Sequence, residues 1–365
     1  MILAYDAKRL FCNRTGLGNY SRSLVANLVE THPHLSPQLY TPRISLASSI
    51  APFLKAPYQV HQSNQALKAW WRSVGIRKDL KTAGVSVYHG LSNELPWQLS
   101  STGIKTVLTV HDMIFKRYPQ FFPWIDRQFY AWKTRYSCQQ ADLILAISES
   151  TKQDLLQEYA LPPEKIKVLY QACEASYYNL PPLDFAPLQA QYNLPKEFIL
   201  FVGTLEPRKN LSLLLRAHQL LPKAQQLPLV IVGRGTLPPD YDSATPIHWL
   251  DNIQATKDLQ TLYQAAQVLV YPSLYEGFGL PIVEALLCQT PVIAAQSSSL
   301  PEAGGPNSLY VPTRDAAACA QAIHKVLTTP TLAAHMRQKG LEYAQTKFAP
   351  ANLSQQLLAH YQSLL

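Results

Sequence analysis

The run Glu276-Gly277-Phe278-Gly279-Leu280-Pro281-Ile282-Val283-Glu284 combines two carboxylates with a glycine loop, a chemistry suited to polyhydroxylated or anionic ligands. Gly277 and Gly279 carry no Cβ, so the backbone N–H groups of the loop can approach a ligand closely. Pro281 fits the first turn of a helix, where its missing N–H costs nothing. A helix N-terminus reached by such a loop favours negative charge. Glu284 lies in IVEALL, apolar on every side, so its carboxylate requires a partner; burying it alone is prohibitive. Two readings stand. Glu284 is a structural carboxylate bonded to a neighbouring loop, or it joins Glu276 in facing one ligand.

The cationic counterpart is Gly203-Thr204-Leu205-Glu206-Pro207-Arg208-Lys209-Asn210. A strand ends at Gly203, the loop carries Arg208 and Lys209, and Asn210 is placed to cap the following helix. Two cations at a helix N-terminus oppose its macrodipole unless an anion sits there. That conflict suits a diphosphate, for which Arg supplies a planar fork and Lys a point charge. The alternative is a pair of solvated loop cations.

Three weaker signals accompany these. Thr15–Tyr20 (TGLGNY) is a glycine turn with Gly16 and Gly18, following the first strand. It fails as a dinucleotide fingerprint: Ser21 replaces the third small residue, and no acid ends a second strand about 20 residues on. A tight turn baring N–H groups to a ligand is the remaining reading. His89 and His111 each end a strand-like run, and Asn93 and Glu94 follow the first of them. A lone histidine is most often a hydrogen-bonded structural residue, but the carboxyl end of a strand makes it a candidate to touch substrate. Asp240-Tyr241-Asp242 imitates a metal-binding Asp-x-Asp, yet it sits among prolines and does not close a strand, so no metal is expected.

The elements that must position these residues alternate between strand and helix. Strands are expected at 2–6, 85–89, 106–111, 143–147 and 165–170, then at 198–202, 229–232, 247–250, 268–271 and from 292. Helical segments lie between them, among them 20–30, 151–159, 211–221 and 255–266. This alternation predicts parallel sheets covered on both faces, an α/β fold with two doubly wound domains. The expected boundaries are 1–172, a Pro-rich hinge at 173–195, and 196–347, with a final amphipathic helix at about 348–365. In such folds ligands bind at the carboxyl ends of the strands, here expected in a cleft between the domains. All of the candidate residues map to strand ends.

With GTLEPRKN, EGFGLPIVEA and VHD in one chain and in order, the sequence resembles the family 4 retaining glycosyltransferases of the GT-B fold, over nearly its whole length. Glu276 and Glu284 match the family's paired glutamates, and SSSLPEAGG is similar to its next loop. The resemblance implies that Glu276 contacts donor-sugar hydroxyls and Glu284 the ribose of the nucleotide. It places the amides of Phe278, Gly279 and Leu280 on sugar and phosphate, Arg208 and Lys209 on the diphosphate, and His111 near the transferred sugar. Gly16, Gly18, Gly203, Thr204, Leu250 and Gly277 complete the expected donor set; His89, Asn93, Glu94 and His111 form the acceptor set. Glu276, His111, Lys209 and Arg208 are the expected catalytic residues. Many members carry Arg directly after the strand-end glycine, where this chain has Thr204; Arg208 is the residue available for that role. The last helix would return to the first domain.

Composition bounds the rest. A chain of 365 residues exceeds one ordinary core. No apolar run approaches the roughly 20 residues of a membrane span, and MILAYDA reads as a strand and not a signal peptide. Five scattered cysteines without CxxC fit a cytoplasmic protein and not a zinc site. A net charge of +8 fits an anionic partner. The aromatic and basic segment Tyr118–Tyr136, with Trp70 and Trp71, is compatible with peripheral docking on the inner face of a membrane. The expected activity is transfer of a hexose, mannose from GDP-mannose being favoured, onto a saccharide or lipid-linked saccharide acceptor of surface polysaccharide or glycolipid synthesis. No cofactor is expected beyond the nucleotide-sugar substrate, and no nucleic-acid partner. The alternatives are a UDP-sugar donor, a sugar-nucleotide epimerase on the same fold, and a non-catalytic polyanion binder.

Overall fold

The computed structural model describes residues 1–13, 16–45, 48–239, 241–242, 245–253 and 255–365. Thr15 of the first glycine turn and Asp240 of the Asp-x-Asp string lie outside the described residues. The chain divides into two units, Met1–Ala175 with Phe348–Leu365, and Ser176–Lys347.

The first unit is built on β1 (Leu3–Asp6), β2 (Gln38–Thr41), β3 (Gln59–Gln62), β4 (Val87–Gly90), β5 (Lys105–Val110), β6 (Leu143–Ala146) and β7 (Ile166–Val168). They form one parallel sheet in the order β3-β2-β1-β4-β5-β6-β7. The second unit holds β8 (Ile199–Val202), β9 (Leu229–Val232), β10 (Ile247–Leu250), β11 (Val268–Tyr271), β12 (Val292–Ala295) and β13 (Leu309–Val311), parallel in the order β10-β9-β8-β11-β12-β13. Both are Rossmann-like α/β units, the fold class expected. β8 (ILFV), β9 (LVIV), β11 (VLVY) and β12 (VIAA) are buried at every position, as helices on both faces require.

Strand order reverses between β1 and β4 and again between β8 and β11. Connections leaving in opposite directions open a crevice at the carboxyl ends of those strands, the usual ligand position of such sheets. Three strands give no readable period in the sequence. β2 is four residues between Pro37 and Pro42, β3 (QVHQ) is a half-exposed edge, and β13 has three residues.

The Pro-rich segment expected as a hinge at 173–195 is divided: the boundary falls after Ala175, and the remainder packs into the second unit. It contains the helix Ala186–Tyr192, with Leu188 buried. The Leu183 N–H donates to the Gln264 side chain at 2.8 Å, whose amide donates to the Pro181 carbonyl at 3.1 Å. Prolines break the periodicity that sequence reading relies on, but they do not prevent a strap from being pinned to a helix. The last helix, Pro350–Gln362, belongs to the first unit and packs on the helix Gly16–Thr31, burying Leu353, Leu357 and Tyr361.

Candidate active site

In the second unit the loops after β8 and β11 flank the reversal of strand order, and they are tied together. The Arg208 carbonyl accepts from the Leu274 N–H at 2.8 Å. A short turn, Pro207–Lys209, then directs two adjacent cations at one carboxylate. Arg208 Nη1 lies 2.8 Å from Glu276 Oε2, and Lys209 Nζ lies 2.7 Å from Glu276 Oε1. Arg208 Nη1 also donates to the Tyr275 carbonyl at 2.9 Å, and Lys209 donates to the Tyr271 hydroxyl at 2.8 Å.

These are not solvated loop cations. Glu276 is 8% exposed, and the Lys209 and Arg208 side chains 11% and 15%. Burial alone would raise the Glu276 pKa, but Lys209 and Arg208 outweigh it and hold the carboxyl below its ordinary range. Burial likewise works against the Lys209 ammonium, yet Tyr271 and Glu276 leave its pKa above normal. All three groups are therefore charged at neutral pH. Glu206, 53% exposed, reaches Arg208 only at 3.4 Å. The buried cluster of one carboxylate and two cations keeps an excess of positive charge at the strand ends. A carboxylate has about four lone-pair positions, so Glu276 can still accept from ligand hydroxyls.

Thr204 and Gly203 begin the same cationic loop, and the Thr204 hydroxyl donates to Glu206 at 2.8 Å. Asn210 stands at the helix N-cap with φ +56°, but its side chain does not cap. Its amide donates instead to the carbonyls of Pro272 at 3.0 Å and Thr313 at 2.9 Å, riveting three loops together. The capping expectation is thereby corrected: the Asn210 side chain is oriented by two carbonyls from distant loops and accepts from none of the helix's N–H groups.

After Glu276 come Gly277, Phe278 and Gly279, all buried, and then the helix Leu280–Leu287. Gly279 has φ +121°, a backbone conformation that favours glycine, and a Cβ there would lie 3.1 Å from the Leu300 side chain. The loop is braced by three serines. Ser298 Oγ accepts from the Glu276 N–H at 2.9 Å, Ser299 Oγ lies 2.9 Å from the Glu276 carbonyl, and Ser297 Oγ bonds the Leu274 carbonyl. Glu284 has a partner, as its surroundings demanded: the Tyr263 hydroxyl donates to its Oε2 at 2.9 Å. The two glutamates thus have separate protein partners. Leu250 ends β10, is buried, and offers its carbonyl to the Gly233 N–H at 2.9 Å.

The remaining candidates lie in the first unit. Gly16 opens the helix Gly16–Thr31 at an exposed position with open space around it. At Gly18 a Cβ would fall 1.9 Å from the Asn13 carbonyl oxygen, so this glycine serves backbone packing. His89 is 1% exposed, and both ring nitrogens are engaged: Nδ1 with the Tyr361 hydroxyl at 2.6 Å and Nε2 with Thr109 Oγ1 at 2.8 Å. It joins the last helix to the sheet and has no ring nitrogen left for an acceptor, a correction that only the fold supplies. His111 is different. Its Nε2 donates to the Leu91 carbonyl at 2.8 Å, its ring stands edge-on to Tyr20 at 4.6 Å, and its Nδ1 makes no hydrogen bond among the described residues. A neutral His111 with Nε2 protonated presents Nδ1 as an acceptor. Asn93 Oδ1 accepts from the His111 N–H at 3.0 Å.

Glu94 does not stand open. Its carboxylate is paired with Arg72 and, at 2.7 Å, with Lys133, which together outweigh burial and lower its pKa to about 2. Arg72 also binds Asp6 at the end of β1, with Nε 3.1 Å from both carboxylate oxygens. Asp6, Arg72, Thr109, Tyr263, Tyr271 and Tyr361 were missed by sequence reading. Only Asp6 had a signal, an acid directly at the end of the first strand.

Both histidines are held neutral. Burial, with the proximity of the His111 ring, lowers His89 to about 3; burial, partly offset by the Leu91 carbonyl, lowers His111 to about 4. Because these values lie below the ordinary 6.5, the unfolded chain binds more protons as pH falls below it. Stability is then present above that value and is lost on acidification. We expect Tm to decline between pH 6.5 and about 5, above the main carboxylate range. His89→Gln should flatten that slope in a calorimetric series; an equally steep slope in the variant would contradict neutral burial of His89.

Comparison with known proteins follows the division into units. Residues 15–176 match the family described as Glycosyltransferase Family 4, and residues 188–343 match Glycosyl transferases group 1. The chain is similar to the O-antigen chain mannosyltransferase B of Escherichia coli, with 32% identity over 289 residues, 76% of this chain and 74% of that one. It is 28% identical to the serotype-specific mannosyltransferase WbdA of Escherichia coli over 75% of this chain but only 34% of that longer protein. Among solved structures, Anabaena HepE in complex with UDP superposes with a TM-score of 0.75 over 99% of both chains at 18% identity.

Proposed function

The chain belongs to the family 4 glycosyltransferases of the GT-B fold, and from that premise we propose that it transfers mannose from GDP-mannose, with retention, to a saccharide acceptor in surface-polysaccharide or glycolipid synthesis. Family membership sets aside the epimerase and the non-catalytic polyanion binder. The observation that carries the proposal is the buried Arg208–Glu276–Lys209 cluster at the carboxyl ends of β8 and β11. The preference for mannose rests on the two mannosyltransferases to which the chain is similar.

In this reading the bond between the sugar's anomeric carbon and the diphosphate oxygen breaks, and negative charge grows on the departing diphosphate. Arg208, Lys209 and the N-terminus of the helix Leu280–Leu287 stabilise it, so no metal ion is required. The acceptor hydroxyl attacks on the face the diphosphate leaves, and its proton passes to a phosphate oxygen. Glu276 orients the donor-sugar hydroxyls, the amides of Phe278, Gly279 and Leu280 face sugar and phosphate, and Glu284 holds the ribose. Thr204 and Gly203 border the diphosphate, with Leu250 and Gly277 lining the donor. His111 offers Nδ1 to a substrate hydroxyl, and Asn93 holds the His111 backbone by accepting from its N–H.

Release of nucleoside diphosphate from a panel of nucleotide sugars, with the anomeric configuration of the product read by NMR, tests the reading. GDP-mannose should be turned over fastest with an axial anomeric bond retained; preference for a UDP-sugar, or inversion, overturns that part. Glu276→Gln keeps the shape but removes the charge, and it should lower turnover by ~10² or more. Turnover near that of the unaltered enzyme would remove Glu276 from the chemistry.

A further inference from the structure

Away from both clusters, the helix Trp124–Gln140 leaves an apolar face uncovered. Ile125, Phe129, Trp132 and Tyr136 recur every three or four residues and therefore share one side of the helix. Ile125 is 73% exposed, Phe129 54% and Trp132 56%. Trp97, from a neighbouring loop, prolongs this face by stacking on Tyr136 with ring centroids 4.0 Å apart and planes 8° apart. The Tyr136 hydroxyl is fixed by the Gln98 N–H at 2.7 Å. The rings are thus locked in place while their outer faces meet solvent. Contiguous apolar surface of this kind is uncommon on a soluble protein and marks a place of interaction.

Cations border it on both sides. Lys133 lies 5.5 Å above the Phe129 ring, and Arg135 is exposed and makes no ion pair among the described residues. By helical spacing, Lys133 and Arg135 fall on opposite flanks of the stripe.

We propose that this face docks on a bilayer carrying anionic headgroups, with the rings at headgroup depth and Arg135 reaching the lipid phosphates. Amphipathic aromatic rings favour that boundary, and flanking basic residues add attraction to anionic lipid. A saccharide is the poorer match, because Ile125 and Phe129 offer it no polar edge. The helix lies on the bilayer: among the described residues no helix is long and apolar enough to cross one. Lys133 also pairs with Glu94, so the docking face is joined through Arg72 to Asp6 at the end of β1. The proposal does not depend on the donor reading.

Sedimentation of the full chain with phosphatidylcholine vesicles, with and without phosphatidylglycerol, tests it. Binding should rise with phosphatidylglycerol and fall with salt. The Phe129→Ser, Trp132→Ser double variant should lower the partition coefficient about ten-fold or more, and Arg135→Glu should weaken binding to anionic vesicles selectively. An unchanged Tm would mark these variants as folded. The proposal is overturned if the unaltered protein stays in solution with anionic vesicles, or if the double variant binds them equally well. It is also overturned if the double substitution abolishes retention on soluble polysaccharide, or breaks a self-associated state in size-exclusion chromatography, while leaving vesicle binding intact. Because the readout is partitioning and not sugar transfer, failure of the donor assignment leaves this result interpretable.

Discussion

Lys209→Ala is expected to lower the rate of sugar transfer by ~10² or more, the loss typical of removing one group that stabilises developing charge. Lys209 donates to Glu276 and to Tyr271 and is almost wholly buried, so its ammonium acts where water screens little. Removing it leaves Glu276 paired with Arg208 at 2.8 Å, and the loop after β11 keeps its serine braces, so the unit should remain folded. That separates a chemical role from a structural one. If Lys209 stabilises the departing diphosphate, kcat falls with kcat/KM while Tm changes little. If it only holds the loop, Tm falls and kcat of the folded fraction is preserved. Initial rates with the preferred donor, set beside a thermal melt, decide between them; unchanged kcat would sink the assignment. Lys209→Arg should not restore activity, because the longer planar fork cannot replace a point charge held between Tyr271 and Glu276.

Arg72→Met is expected to produce the largest loss of stability. Arg72 joins Asp6 to Glu94, and the Asp6 side chain is only 4% exposed. Glu94 keeps Lys133 when Arg72 is removed, but Asp6 loses the cation that faces it. Breaking a buried pair by deleting one partner costs on the order of 3–5 kcal/mol. At roughly 2–4 °C per kcal/mol for a unit of this size, Tm should drop by about 10 °C. The loss should depend on pH in a defined direction. Burial opposes the Glu94 charge, but Arg72 and Lys133 depress its pKa from 4.5 to about 2. The stabilisation this pairing gives is therefore present above 4.5 and is lost as pH falls through about 2. The gap between the two proteins should narrow across that interval. Adding Asp6→Asn to Arg72→Met should cost less than the two changes summed, since it removes the orphaned charge. Strict additivity would show that Asp6 and Arg72 are not coupled.

The two parallel α/β units were legible because strand and helix periods are local, as were the loops that close β8 and β11. So was the demand that Glu284 find a partner: an acid inside IVEALL implies one wherever the chain leads. The family resemblance rested on the same short motifs. What local pattern cannot carry is the identity of partners far along the chain. Lys209 and Glu276 meet across 67 positions, and His89 and Tyr361 across 272. Two residues with the same strand-end placement in the sequence, His89 and His111, part company for that reason: the last helix takes one nitrogen of His89, while His111 keeps Nδ1 as an available acceptor. Asn210 looked like a cap and became a rivet, because two carbonyls from distant loops converge on it. The Pro-rich segment carries the boundary between the units after Ala175, and Gln264 pins its later part to the second unit.

The sequence alone thus determined which residues have the chemistry for an anionic, hydroxyl-rich ligand and which strand ends present them. Only the tertiary structure decided that Glu276 is held between two buried cations, that Glu94 is spent in an ion-pair network, and that the aromatic helix keeps its rings outside. Residue type sets what a group can do, but burial and the choice of partner set whether it is charged, engaged or exposed, and both arise when distant segments pack together.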